Sequence, residues 1–304
     1  MLLRNLLLSL AERPAVTRFV ARRGMQMGFA RRFIAGETLA EAVAAARDLN
    51  ARGIEASLDL LGENVADADH AAAATDQYIG ILEEIRRAAI RSNISVKLTQ
   101  MGLDLSVELC AANLFRLVER AAQLENFVRI DMEGSAYTQR TLDLFVRAHE
   151  RFGAAVGVVV QSYLYRTEED VRELIGRRAN LRLCKGAYME PKEVAFPEKA
   201  DVDANYNKLL HLLLGSDSYV GIATHDLAMI DEAKRLISEH RLDAGFEFQM
   251  LYGVRRDLQD KLKQEGYRVR VYIPYGSDWC PYFMRRLAER PANVLFVLKN
   301  LWRD

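Results

Sequence analysis

Three cysteines, Cys110, Cys184 and Cys280, are all that this 304-residue chain contains, and no two of them form a C-x-x-C pair. So sparse and odd a set argues against a disulfide framework and against structural zinc, and it points to a reducing compartment. The five histidines, His70, His149, His211, His225 and His240, show no H-E-x-x-H or comparable ligand spacing. An excess of charge is missing as well: 42 basic residues meet 42 acidic ones. Nucleic-acid binders usually carry a basic excess, so that class gains no support. No apolar run reaches the roughly 20 residues of a membrane span. The opening Met1-Leu2-Leu3-Arg4-Asn5-Leu6-Leu7-Leu8 is interrupted by Arg4 and leads to no convincing small-residue cleavage site. It reads as a helix, not a signal peptide, and cytoplasmic residence is the expectation. Pro/Gly/Ser-rich linkers and low-complexity stretches are absent too, so nothing marks a second domain.

Half the residues are hydrophobic and 28% are charged, which supplies a large core. Eight short β-rich runs recur along the chain: 55–62, 95–100, 127–133, 157–163, 181–186, 219–225, 245–251 and 269–274. Between them lie segments with helical apolar spacing, such as Leu114, Leu117, Val118 and Ala121, or Ile230, Ala233, Leu236 and Ile237. Regular strand–helix alternation means parallel strands joined by crossover helices. Eight units at this spacing predict an α/β fold of the (β/α)8 TIM-type barrel kind. The competitor, a doubly wound dinucleotide-binding sheet, needs a Gly-rich turn after an early strand. The first run ends Leu61-Gly62-Glu63-Asn64-Val65, without G-x-G-x-x-G.

Residues 1–45 read as an N-terminal helical arm and residues 46–304 as the barrel catalytic domain. The first 35 residues carry Arg4, Arg13, Arg18, Arg22, Arg23, Arg31 and Arg32 against one acid, Glu12. The plainer reading is an arm packed on the barrel with its arginines in water; a basic amphipathic segment also suits peripheral contact with an anionic membrane, here the inner face of the cell membrane. The irregular stretch Pro191–Pro197, after the fifth run, falls on the mouth side and has the character of a lid.

Catalytic residues of such barrels gather where the strands end. Polar residues within the β-rich runs are therefore informative: Lys97, Asp131, Glu133, Gln161, Arg182, Lys185, Thr224, His225, Glu247, Gln249 and Tyr272. Each alone is as well explained by an ordinary satisfied polar group, but the whole set is explained more simply by one shared polar site. Lys97, Arg182, Lys185, Arg285 and Arg286 outnumber the acids Asp131 and Glu289, which points to a carboxylate or a phosphate as ligand. After the eighth run, Tyr282, Arg285, Arg286 and Glu289 follow i, i+3, i+4 and i+7 spacing and share one helix face. Paired guanidinium groups grip carboxylates in bidentate fashion. An exposed Arg-Glu ion pair on a surface helix accounts for the same spacing equally well.

Three stretches together carry a resemblance: Leu181-Arg182-Leu183-Cys184-Lys185-Gly186-Ala187-Tyr188, Ala223-Thr224-His225-Asp226, and Tyr282-x-x-Arg285-Arg286-x-x-Glu289. In this order and placement the chain resembles the proline dehydrogenase family, and its short monofunctional bacterial members most, over roughly residues 50 to 300. The resemblance implies FAD at the barrel mouth and oxidation of L-proline to 1-pyrroline-5-carboxylate by hydride transfer to flavin N5, with electrons passed to a membrane quinone. It implies that Arg285 and Arg286 grip the proline carboxylate with Lys97 beside it, and that Asp131 orients the cationic groups. Arg182 would lie near flavin N5. Met132, Gln161, Lys185, Gly186, Ala187, Thr224 and His225 would contact the flavin cofactor. Tyr272, Tyr282 and Leu251 would line the proline pocket, with Glu289 on an arginine or on the substrate amine. The turn between Gly276 and Arg285 is shorter than in larger bifunctional relatives, and the length leaves no room for their aldehyde-oxidising domain. The N-terminal arm matches poorly, so no role is carried over there.

Three rival readings fit parts of the pattern. A Schiff-base aldolase on the same fold would use Lys97 or Lys185 as nucleophile. A metal-dependent hydrolase would use Asp131, Glu133 and His225, without a second clustered histidine. A non-catalytic binding barrel would predict no flavin.

Overall fold

The computed structural model describes residues 30–62, 64–280 and 282–283. Eight strands form a closed barrel in sequence order: β1 Glu55–Leu60, β2 Ser92–Val96, β3 Val128–Ile130, β4 Val156–Gln161, β5 Asn180–Cys184, β6 Tyr219–Ala223, β7 Phe246–Leu251 and β8 Val269–Tyr275. All neighbours are parallel, and β1 closes on β8 from Glu55–Arg270 to Leu60–Tyr275. Helices alternate with them: α1 Leu39–Ala51, α2 Ala68–Arg87, α3 Val107–Gln123, α4 Thr138–Phe152, α5 Thr167–Gly176, α6 Lys199–Leu214, α7 Leu227–Glu239 and α8 Arg256–Gln264. The barrel expected from strand–helix alternation is the fold observed.

Side chains on a strand alternate between two faces. The apolar set of each strand, such as Ala56 and Leu58, Ile94 and Val96, or Val220 and Ile222, joins the buried stripes of the helices in one continuous core. Leu114, Leu117, Val118 and Ala121 of α3 and Ile230, Ala233, Leu236 and Ile237 of α7 lie in it. Hydrophobic burial therefore sits between sheet and helices. The alternate set turns into the lumen and is largely polar. Arg182 of β5 reaches Ser95 of β2 and Gln249 of β7, which are not its neighbours, so these bonds can pass only through the interior.

Helix starts follow local sequence. Thr38 and Glu41 form a capping box that opens α1, Asp67 accepts from His70 N to open α2, and Ser106 accepts from Leu109 N to open α3. The boundary expected between residues 45 and 46 falls inside α1, which packs on β1 and β8 as part of the barrel wall. Ahead of it, Ala35 N donates to Pro274 O at 3.0 Å and Gly276 N to Gly36 O at 3.1 Å. Ala30, Phe33 and Ile34 are buried, with Phe33 6.2 Å from Phe283 in ring centroids. The last residues of the arm thus sit on the strand-end face of the barrel, while its arginines 4 to 23 lie outside the described residues.

The second strand differs from its expectation of 95–100: it runs Ser92–Val96, and a 3-10 turn over Thr99–Met101 follows. Leu98 already has helical backbone angles, and its carbonyl accepts from Met101 N and Leu103 N. Pairing to β3 runs from Ile94 to Val96, so the strand had to begin earlier. Among the described residues no helix is long and apolar enough to cross a membrane.

Candidate active site

Where β2 and β3 end, the chain places one charged residue each. Lys97 follows Val96 directly, and Asp131 follows Ile130. Both lie one residue beyond the strands on which the sequence placed them. Lys97 Nζ donates to Asp59 Oδ1 at 2.9 Å and Oδ2 at 3.2 Å, and both side chains are buried. Arg182 Nη1 donates to Asp131 Oδ1 at 2.7 Å, and Tyr272 Oη donates to Asp131 Oδ2, also at 2.7 Å. The Arg182 guanidinium lies over the Tyr272 ring at 5.4 Å, a cation–π distance. Its remaining nitrogens donate to Gln249 Oε1 and, at 3.2 Å, to Ser95 Oγ.

Burial pushes the Asp131 carboxyl above its ordinary value, while Arg182, Lys97 and the Tyr272 hydroxyl pull against it and Asp59 adds to the rise. Tyr272 is held well above the usual phenol value by burial and by the carboxylates of Asp131 and Asp59. It remains a neutral donor. The result is a small, nearly dry set of two cations, two carboxylates and one phenol that fixes every member in place.

Around this centre lie the residues that the resemblance assigned to a cofactor. Gln161, at the end of β4, donates through Nε2 to Met132 O at 3.3 Å. Its Oε1 is buried and meets no hydrogen-bond partner among the described residues. A buried amide oxygen left so suits an N–H supplied by a ligand. Gly186 has φ +108°, and a Cβ there would collide with the Tyr163 ring, so only glycine fits. Ala187 is half-buried beside it. Thr224 Oγ1 accepts from Asp226 N at 3.1 Å. Leu251 N donates to His225 Nε2 at 2.9 Å, which makes that ring nitrogen an acceptor and pins the imidazole to β7. Lys185 Nζ lies 2.6 Å from Asp203 Oδ1 and 3.0 Å from Asp226 Oδ2, so the lysine just past the end of β5 is shared by two acids.

The loop after β5 is fastened rather than loose. Leu164 pairs with Ala195, Tyr165 N donates to Val194 O, and Phe196 N donates to Tyr163 O. Glu190 accepts from Ser135 N at 2.7 Å, from the Ser135 hydroxyl, and from Tyr163 Oη at 3.2 Å. It thereby ties this loop to the loops after β3 and β4.

Tyr282 is buried against the same end of the barrel. Trp279 is fully buried, and its Nε1 donates to Glu37 Oε1 at 3.2 Å. Arg285, Arg286 and Glu289 lie outside the described residues.

Several members of the network were not picked out from sequence. Asp59 is one: the second acid of a run that opens on Glu55, it stands between Leu58 and Leu60 and is visible only as a break in the strand pattern. Ser95, Arg270, Asp203 and Glu190 are others. Glu247 and Gln249 stood out as polar strand residues without a role. Glu133, offered to a metal site, accepts instead from Thr99 N at 3.1 Å and Thr99 Oγ1 at 2.6 Å. Among the described residues no group of three or more His, Cys, Asp or Glu is placed to hold a metal ion.

Comparison with known proteins bears on family and fold. The family model described as proline dehydrogenase matches residues 42–299. The chain is 43% identical to proline dehydrogenase 1 of Bacillus subtilis over 301 residues, covering 99% of each chain. It is likewise 43% identical to the proline dehydrogenase of Deinococcus radiodurans over 305 residues, covering 99% of this chain and 98% of that one. Among solved structures it is similar to proline utilization A from Bdellovibrio bacteriovorus, with a TM-score of 0.81 at 25% identity. That match covers 86% of this chain and 32% of the larger protein.

Proposed function

This chain belongs to the proline dehydrogenase family and oxidises proline to 1-pyrroline-5-carboxylate, and from that premise we propose that it does so with FAD bound across the strand ends described above. The family is flavin-dependent; the choice of FAD rests on the fit of the site. The observation that carries it is the fixed cluster of Arg182, Asp131, Tyr272, Lys97 and Asp59, with the buried amide oxygen of Gln161, which has no hydrogen-bond partner among the described residues. Met132, Gln161, Lys185, Gly186, Ala187, Thr224 and His225 would hold the cofactor. Gly186 lets the backbone turn at φ +108° against the Tyr163 ring, and Lys185, held by Asp203 and Asp226, is placed beside that turn. When bound, the flavin accepts the hydride; position and electrostatics are the protein's part.

The residues divide the work. Lys97, with Arg285 and Arg286, binds the substrate carboxylate and sets which ring carbon faces the flavin. Tyr272, Tyr282 and Leu251 wall the apolar ring, and Glu289 steadies an arginine or the amine. Asp131 keeps Arg182 and the Tyr272 hydroxyl in register. Arg182 would stabilise the negative charge that develops on the flavin on reduction. The substrate amine must lose its proton before the hydride can leave. Lys97 and Arg182 are balanced by Asp59 and Asp131, so Arg285 and Arg286 would supply the net positive charge that favours the neutral amine, whose proton passes to solvent without a dedicated base. A kcat/KM profile without an ionisation attributable to the substrate amine would refute that last step.

The aldolase alternative is disfavoured by a specific observation. Lys97 is paired with Asp59 and Lys185 with Asp203 and Asp226, whereas an imine-forming lysine needs an uncharged amine. We assign the electrons to a membrane quinone; for the basic arm the favoured reading is a soluble segment packed on the barrel, with peripheral membrane contact as the alternative. Co-sedimentation with anionic vesicles, comparing the full chain with one lacking residues 1–29, tests that contact. The cofactor is tested by denaturing the purified protein and identifying the released flavin: FAD supports the assignment, and FMN or no flavin refutes it.

A further inference from the structure

A column of alternating charge crosses the barrel lumen from the mouth to the opposite rim. At the mouth, Arg182 Nη1 donates to Asp131 Oδ1 at 2.7 Å. Below it, Arg182 Nε donates to Gln249 Oε1, and Gln249 Nε2 donates to Glu247 Oε1 at 2.6 Å. Arg270 closes on Glu247 through Nε at 2.6 Å and Nη2 at 3.1 Å. Arg270 also donates to Ala56 O at 2.8 Å and to the Glu55 carboxylate, at the first residue of β1. Burial works to raise the Glu247 carboxyl, but Arg270 and the bonds from Gln249 and Tyr219 outweigh it and hold the carboxyl below its ordinary value.

Gln249 is the only neutral link in this column. An amide has one accepting end and one donating end, a guanidinium has no acceptor, and a carboxylate has no donor. The carbonyl must therefore face Arg182 and the NH2 must face Glu247. The sequence keeps space for this arrangement: a Cβ on Gly221 would lie 2.5 Å from Gln249 Nε2. Arg182 is thereby held on three sides, by Gln249 at Nε, by Asp131 at Nη1 and by Ser95 at Nη2.

We propose that Gln249 is a positioning residue for Arg182: its carbonyl sets the plane of the guanidinium toward the mouth, and Glu247, braced by Arg270, keeps the amide facing the right way. The proposal rests on the assignment of Arg182 to the reactive edge of the flavin. It differs from a packing role for Gln249 in which atom matters. Positioning needs the accepting oxygen, whereas packing needs only the volume.

The test compares the holoenzyme with its Gln249→Met, Gln249→Glu and Arg182→Lys variants in kcat, in KM for proline and in flavin midpoint potential. Met keeps the volume and removes the acceptor. Glu keeps an acceptor for Nε and places a charge beside Glu247. We expect Gln249→Met to lower kcat about tenfold with KM within about threefold, the mark of an interaction made in the transition state. It should shift the two-electron flavin equilibrium about tenfold toward the oxidised form, roughly 30 mV lower. Gln249→Glu should retain more kcat than Gln249→Met. If Arg182→Lys shifts rate and potential while Gln249→Met shifts neither, Arg182 keeps its role and Gln249 loses the one proposed. If Arg182→Lys leaves the potential unchanged, the assignment of Arg182 falls, and this proposal with it. Should the Met variant not fold, Gln249→Glu decides: kcat within about threefold of the parent upholds the proposal, and a loss matching Arg182→Lys overturns it.

Discussion

Lys97 and Asp59 meet at the strand ends of β2 and β1, with Nζ 2.9 Å from Oδ1 and side chains only 8% and 0% exposed. A buried ammonium without its carboxylate is costly, because breaking such a pair leaves an uncompensated charge. Asp59→Asn is therefore expected to destabilise the fold by about 3 kcal/mol in a denaturant titration. It should also raise KM for proline, since Lys97 loses the partner that aims it. Unchanged stability and KM would remove Asp59 from the site.

Asp131 gives a pH prediction. Its carboxyl lies above the ordinary value of 3.8, with burial as the largest cause. Acidification through that raised value protonates Asp131 and weakens its hold on Arg182. The acid limb of kcat/KM should accordingly bend above pH 3.8. The residual activity of Asp131→Asn should lack that bend. An identical acid limb in both proteins would assign the ionisation elsewhere.

Gly186 combines φ +108° with a Cβ position inside the Tyr163 ring. Gly186→Ala forces the loop after β5 away from β4. The expected outcome is a folded protein with a lower ratio of flavin to protein absorbance and a proline KM near that of the parent. Full flavin occupancy would show that this turn does not cradle the cofactor.

Arg285 and Arg286 are proposed to grip the substrate carboxylate. Replacing either by lysine exchanges a planar fork for a point charge. Loss of one charge-assisted hydrogen bond corresponds to about a tenfold or greater rise in KM for proline, with flavin retained. Loss of FAD at unchanged KM would mean that the pair serves the cofactor instead.

These residues also show what a chain of letters can disclose. The barrel was readable because Val, Ile and Leu recur at alternate positions of runs such as Val156–Gln161, separated by helices with their own apolar stripe. Arg182, Lys97 and Asp131 were readable because charge in or beside a strand needs a reason. Asp59 escaped because an acid between Leu58 and Leu60 looks like an outward residue until the barrel closes and turns it inward. The end of β2 was misplaced because Leu98 is apolar and strand-like in type, yet its burial comes from the turn that follows. Gln249 could be seen as polar but not as a link to Arg182, because the two stand 67 residues apart and meet only across the lumen.

The central claim is that these strand ends hold FAD and pass it the hydride of proline. An anaerobic absorption spectrum of the purified protein, taken before and after addition of proline, tests it most directly. The account predicts an oxidised flavin band that bleaches when proline is added and returns when an electron acceptor follows. A colourless protein that cannot be reconstituted with FAD, or a flavin band that proline leaves unchanged, would contradict it.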